Sequence, residues 1–183
     1  MRALQYLVPV MITLACGAAI VAPSPGHAAL PVGARAPAIT APAAQGGRRF
    51  TFDLARALRR GPVVVYFFPR AFTSGCTIET HAFAEAAPDF RRAGATLIGM
   101  STDDVETLGR FSTEACRAQF PMASASGNLV SQYDVLLREG ISTRTSYVIA
   151  QDGTIAMVHN DMNPNDHVRL TLATVRELRA RRR

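Results

Sequence analysis

Lysine is absent from the chain, so all 20 of its basic side chains belong to arginine. Cysteine occurs three times and tryptophan not at all. No repeat and no long low-complexity tract divides the 183 residues, a length that fits one domain preceded by a leader. The formal charge of +6 could attract nucleic acid or a membrane surface. No aromatic-rich basic stripe accompanies it, so no nucleic-acid partner is expected. Codon bias towards arginine and the run Arg181-Arg182-Arg183 account for the excess. Both C-x-x-C and H-x-x-x-H are missing, and His81, His159 and His167 lie far apart, so no metal site and no cofactor are expected. With 48% hydrophobic and 19% charged residues, the balance is that of an ordinary globular protein.

The N-terminus has the layout of an export signal. Arg2 supplies a short positive region, Leu4 to Ala22 is almost wholly apolar, and Gly26-His27-Ala28 puts small residues before a cleavage point at Ala29. A membrane-spanning helix is the rival reading, but Pro9 interrupts the stretch and Pro23 and Pro25 end it. Residues 1–28 are therefore expected to be a signal peptide, and residues 29–183 a single domain with no stable membrane association after cleavage. A lipid anchor on Cys16 is the weaker option, because Thr13 stands where a lipobox usually has leucine. The destination would be oxidising, such as a bacterial periplasm. Cys76 and Cys116 remain after cleavage, too few for a disulfide scaffold and enough for a redox pair.

Along the mature chain, residues 29–49 read as extended and loop-like, with Pro31, Pro37, Pro42 and Gly46-Gly47. Phe50 to Phe52 suggests a short strand, and Asp53 to Arg60 a short helix stopped by Gly61-Pro62. Val63 to Phe68 is apolar on both faces and reads as a buried central strand. Pro69 ends it, and a helix follows over about 76–90, with Pro88 near its end. A second buried strand spans 95–100. A helix is expected over about 103–118, with Asp103 and Glu106 as its capping box. An extended segment at 120–122 and a short helix within 127–137 come next. Ser146 to Ala150 and Thr154 to His159 form a hairpin around Gln151-Asp152-Gly153. Asn163-Pro164 opens a last helix that aligns Val168, Leu172, Val175 and Leu178. The order β-α-β-α-β-β-α predicts an α/β, thioredoxin-like fold, a central mixed sheet with helices on both faces.

Cys76 stands after a buried strand and at a helix start, where unpaired N–H groups and the positive end of the helix dipole favour thiolate over thiol. The rival reading is an inert core cysteine. Thr73 occupies the position where a dithiol oxidoreductase carries its second cysteine. Its hydroxyl could donate to the thiolate and accept from a peroxide O–H, or else make a local turn bond.

Pro69-x-x-x-Thr73-x-x-Cys76 resembles the P-x-x-x-T-x-x-C signature of peroxiredoxins. The wider run from Val65 to Glu79 resembles their bacterioferritin-comigratory, or Q-type, subgroup, with Ser74 where that subgroup often has proline. The similarity reaches from Leu30 to Pro37 (L-P-V-G-A-R-A-P), like the family's opening, to Arg144-Thr145-Ser146-Tyr147-Val148-Ile149, like its R-x-S-F-x-I strand, and on to about Leu178. The resemblance implies a thiol-dependent peroxidase. Cys76 would be the nucleophile and become a sulfenic acid. Arg144 would hold its thiolate and polarise the departing oxygen. Thr73 would position the peroxide, and Pro69 would shield the sulfur. Glu79 matches a family glutamate that orients arginine or backbone groups, and reads otherwise as a solvated first-turn carboxylate. Hydrogen peroxide or organic hydroperoxides would be the substrate, and a thioredoxin-like or glutaredoxin-like thiol the reductant. A monomer or dimer is expected.

His81 stands where many Q-type members carry a resolving cysteine, so a local disulfide one helical turn away is ruled out. Cys116 is the other candidate for that role. It is expected on the flank of the apolar face formed by Val105, Leu108 and Phe111, half-exposed; the alternative is a core cysteine, with an external thiol resolving the sulfenic acid. An exported thiol-disulfide oxidoreductase is the competing function, opposed by Thr73. A metal-delivery module is opposed by Thr80, which stands where its second cysteine would be.

Overall fold

The computed structural model describes residues 29–181. The expected signal peptide and Cys16 lie outside the described residues. In chain order the elements are β1 (Thr40–Gln45), β2 (Arg48–Asp53), α1 (Leu54–Leu58), β3 (Val63–Phe67), α2 (Ser74–Arg92), β4 (Thr96–Ser101) and α3 (Val105–Glu114). There follow β5 (Met122–Ser124), α4 (Gly127–Gln132), β6 (Leu136–Arg138), β7 (Ile141–Ser142), β8 (Thr145–Ile149), β9 (Ile155–Asn160) and α5 (His167–Ala180). Seven strands form one sheet in the order β2-β1-β5-β4-β3-β8-β9, and β6 and β7 make a separate hairpin.

The centre of the sheet follows from composition. Every residue of β3 is fully buried, and its alternate side chains feed two cores. Val64, Tyr66 and Phe68 face one core with Phe83 and Phe90 of α2, Leu108 and Phe111 of α3, and Leu172 and Val175 of α5. Val63, Val65 and Phe67 face the other, with Leu54 and Ala57 of α1 and Leu129 and Val130 of α4. A strand apolar on both faces needs cover on both, and the helices supply it. β3 pairs in parallel with β4, and β4 with β5, while β8 lies antiparallel to β3 and β9 antiparallel to β8. This is the mixed α/β sandwich expected of a thioredoxin-like fold. Among the described residues no helix is long and apolar enough to cross a membrane.

Several local expectations are corrected. Part of the stretch read as loop at residues 29–49 is the strand β1, paired antiparallel with β2 and β5; alternate burial of Ala41 and Ala43 in the second core holds it there despite Pro42. The element order is accordingly richer in strands than β-α-β-α-β-β-α. Pro88 lies inside α2 without ending it, and the helix runs on to Arg92. α3 is shorter than 103–118, and its N-cap is Asp104, whose carboxylate accepts from the Thr107 N–H at 2.7 Å. Asp103 instead accepts from the Ala71 N–H at 2.7 Å and from the Ser101 hydroxyl at 2.6 Å. The last helix begins at His167, not at Asn163-Pro164, because Asn163 and Asp161 close successive side-chain turns on the N–H groups of Asn165 and Asn163 first.

Candidate active site

β3 delivers the chain at Phe67, and Pro69 begins the loop that leads to α2. Two tethers fix this loop. The Ser142 hydroxyl donates to the Phe68 carbonyl at 2.9 Å, and Asp103 holds the Ala71 N–H. Phe72 has a positive φ of 63° and lays its half-exposed ring edge-on to Phe111, with centroids 5.0 Å apart. A left-handed conformation at a bulky residue is costly. Here it turns the chain into α2 within two residues.

Cys76 is the third residue of α2. The first bond within the helix runs from the Thr77 N–H to the Thr73 carbonyl at 2.9 Å, so the N–H groups of Ser74, Gly75 and Cys76 have no helical acceptor. Their dipole favours negative charge at the sulfur. Arg144, in the turn just before β8, reaches this point from across the β3–β8 pair. Its Nη2 lies 3.5 Å from Cys76 Sγ, and Nη1 donates to Glu79 Oε2. Nε donates to the Met162 carbonyl at 3.0 Å. Cys76 is 1% exposed, Glu79 0% and Arg144 4%. The guanidinium thus lies buried between a sulfur and a carboxylate, with three of its N–H groups directed.

Glu79 is therefore not the solvated first-turn carboxylate that its position also allowed. It sits one turn below Cys76, points into the protein and binds Arg144. Burial pushes its carboxyl up to about 7, against the lowering pull of Arg144. No sequence pattern marks Gly75, yet a Cβ there would lie 3.1 Å from Arg144 Nη2. A Cβ at this position would be a tight contact, so the guanidinium would have to give way by a few tenths of an ångström.

Thr73 is exposed, and its hydroxyl donates to the Arg70 carbonyl at 3.0 Å. A hydroxyl has one hydrogen, so the expected donation to the thiolate is replaced by this local bond; the oxygen keeps lone pairs to accept from a ligand O–H. Pro69 is partly buried at the end of β3. His81 is exposed and lines a cavity of about 230 Å³ with Glu85, Pro88 and Arg117, on the side of α2 next to the turn that carries Cys116.

The expectation of a half-exposed Cys116 is overturned. The residue lies in the turn after α3 and is 0% exposed. Its thiol donates to the Ser112 carbonyl at 2.9 Å and faces the Phe120 carbonyl at 3.3 Å. Burial pushes this thiol above its ordinary value, with partial relief from the surrounding turn. The two residues after it, Arg117 and Ala118, both have positive φ, so the turn is strained as well as packed. Cys76 and Cys116 are both free thiols lining the same core.

Distant histidines converge behind Arg144. The rings of His159 and His167 meet edge to face with centroids 4.5 Å apart. His167 Nδ1 lies 2.8 Å from Ser146 Oγ and 3.5 Å from Glu79 Oε1, and Nε2 lies 3.0 Å from the Asp161 carbonyl. Burial pulls His167 down to about 4. The helical register offers a clue, since His167 and Thr171 share one face with Val175 and Leu178, two residues of the apolar stripe. Among the described residues no group of side chains is arranged to hold a metal ion.

The AhpC/TSA family model matches residues 32–158. A Mycobacterium tuberculosis (strain ATCC 25618 / H37Rv) protein named as a peroxiredoxin is 34% identical over 129 residues, 67% of this chain and 83% of that one. The chloroplastic peroxiredoxin Q of Gentiana triflora is 33% identical over 115 residues, 61% of this chain and 52% of that one. Among solved structures, peroxidoxin BcpB from M. tuberculosis superposes with a TM-score of 0.71 at 30% identity, covering 80% of this chain and 96% of that chain. M. tuberculosis AhpC superposes with a TM-score of 0.74 at 21% identity, covering 84% and 96%, a likeness of fold.

The geometry makes two predictions. Gly75→Ala should push the guanidinium a few tenths of an ångström away from Cys76 and slow peroxide consumption, with the urea unfolding midpoint nearly unchanged; stopped-flow kinetics and denaturation check both halves. Glu79 binds its proton more tightly folded than unfolded, so between about pH 4.5 and 7 its share of the stability falls as pH rises. Glu79→Gln should therefore gain stability relative to the parent protein between those two pH values, measured as the difference in unfolding free energy at each.

Proposed function

The chain belongs to the AhpC/TSA family and is a peroxiredoxin, a thiol-dependent peroxidase; we propose that Cys76 is its peroxide-attacking sulfur and Arg144 the group that activates it. The observation that carries this reading is the 3.5 Å approach of Arg144 Nη2 to a sulfur at the start of α2. The thiolate attacks one peroxide oxygen along the O–O axis. The O–O bond breaks, Cys76 becomes a sulfenic acid, and the other oxygen leaves as water or alcohol after taking a proton. Charge moves from sulfur to the leaving oxygen, and a fixed guanidinium beside both serves the start and the end of that transfer. Thr73 Oγ1 offers an acceptor for the peroxide O–H, and Pro69 keeps water from the sulfur.

Recycling needs a second thiol. It condenses with the sulfenic acid, releasing water and forming a disulfide, which an external dithiol of thioredoxin-like or glutaredoxin-like type then reduces. Cys116 is the thiol we assign to that step. Its burial requires the turn from Ala115 to Phe120 to open first, and the positive φ values at Arg117 and Ala118 lower the cost of opening. The N-terminal layout supports export after cleavage at Ala29 into an oxidising compartment such as a bacterial periplasm, where the enzyme acts as a monomer or dimer on hydrogen peroxide or organic hydroperoxides.

Two measurements test this. Cys76→Ser should abolish fast peroxide consumption in stopped flow while the fold remains; retained consumption would exclude Cys76. One equivalent of peroxide should give a Cys76–Cys116 disulfide in non-reducing mass analysis. A sulfenic acid that joins only added thiol would assign a one-cysteine cycle instead.

A further inference from the structure

The charges around Arg144 do not balance unaided. A thiolate at Cys76 and a carboxylate at Glu79 would set two buried anions against one buried cation, and an uncompensated charge in such a place is expensive. Glu79 Oε2 is held by Arg144, but Oε1 is buried with no hydrogen-bond partner. The atom facing Oε1 is His167 Nδ1, 3.5 Å away.

The hydrogen inventory of His167 is constrained. Nε2 lies 3.0 Å from the Asp161 carbonyl, which can only accept, so Nε2 carries a hydrogen. In a neutral imidazole Nδ1 is then a bare acceptor, open to the Ser146 hydroxyl at 2.8 Å. A carboxylate oxygen turned towards a bare Nδ1 sets lone pair against lone pair. One added proton removes the conflict, whether it sits on Oε1 or on Nδ1. On Oε1 it leaves Oε2 free to accept from Arg144.

We propose that His167 is a positioning residue that keeps one proton on the Glu79–His167 pair, so that the charge of Arg144 is left to the thiolate of Cys76. The other groups facing the pair do not supply that balance. Arg144 before β8 and Ser146 of β8 are already engaged. His159 of β9 meets His167 ring to ring, and Asp161 after β9 offers its carbonyl. Tyr66 of β3 is held neutral by burial and bonds Thr80. Burial acts in the same direction, raising Glu79 to about 7 and lowering His167 to about 4, which favours a neutral acid beside a neutral imidazole.

This role rests on Cys76 being the reacting sulfur, and its test reads charge instead of turnover. The thiolate absorbance of Cys76 is titrated in the full chain as the difference from the matching Cys76→Ser protein. His167→Asn should move the midpoint upwards by about one pH unit, a tenfold loss of thiolate. The same substitution in a Glu79→Gln background should move it less than threefold, because no carboxylate charge is left to cancel. An unmoved midpoint, or an equal shift in both backgrounds, overturns the proposal. If His167→Asn does not fold, infrared spectra of the reduced parent protein near pH 7 decide. A carboxylic-acid band that Glu79→Gln removes, or a doubly protonated His167 by nitrogen NMR, supports it; an ionised Glu79 beside a singly protonated His167 overturns it. Loss of the Cys76 assignment would instead show as peroxidase activity surviving Cys76→Ser.

Discussion

One buried guanidinium ties the proposed site together. Arg144 bridges the start of α2 and the edge of β8, with one N–H directed at Cys76, one at Glu79 and one at the Met162 carbonyl. A cation that is 4% exposed must be paired. Each of its partners in turn depends on being paired with it. The sulfur has a guanidinium N–H beside it, the carboxylate has its Oε2 satisfied, and the loop around Met162 is anchored. Removing the cation would leave Glu79 buried with neither oxygen bonded, so the site and this part of the fold are stabilised by the same contacts.

The sheet makes that arrangement stiff. β3 lies between β4 and β8, fully buried, with a core on each face. Cys76 follows the C-terminal end of β3, and Arg144 immediately precedes its antiparallel neighbour β8, whose Thr145 pairs with Phe67. The register of two adjacent strands therefore sets how far apart the sulfur and the guanidinium can be. Ser142, Asp103 and Gly75 refine the approach. The first two pin the connecting loop, and the third leaves room beside the helix start.

Local patterns are legible in the chain, and contacts with remote partners are not. The buried strand at Val63 to Phe68 and the helix that starts at Cys76 follow from apolar runs and their punctuation. Asp103 looked like a helix cap because aspartate three residues before glutamate is a local signal, and the competing partner, the Ala71 N–H, lies 32 residues away. Cys116 looked half-exposed on a continued helix; the turn after Glu114 folds it inward instead, against Ser112 and Phe120. His159 and His167 looked unrelated because a sequence does not show that β9 and α5 pack together at their side chains.

By itself the sequence determined the fold class and singled out the candidate sulfur, Cys76. Periodicity, β-branched runs and the Pro69, Thr73 and Cys76 spacing are properties of neighbouring residues, and local sterics and hydrophobic burial act on them directly. Only the tertiary structure decided which charges meet. The ionic character of the site depends on Arg144, Glu79 and His167 coming together from three separated segments. Burial then sets which of them carry protons. Desolvation is a property of the assembled interior, and no stretch of chain possesses it until the sheet and its helices have closed around it.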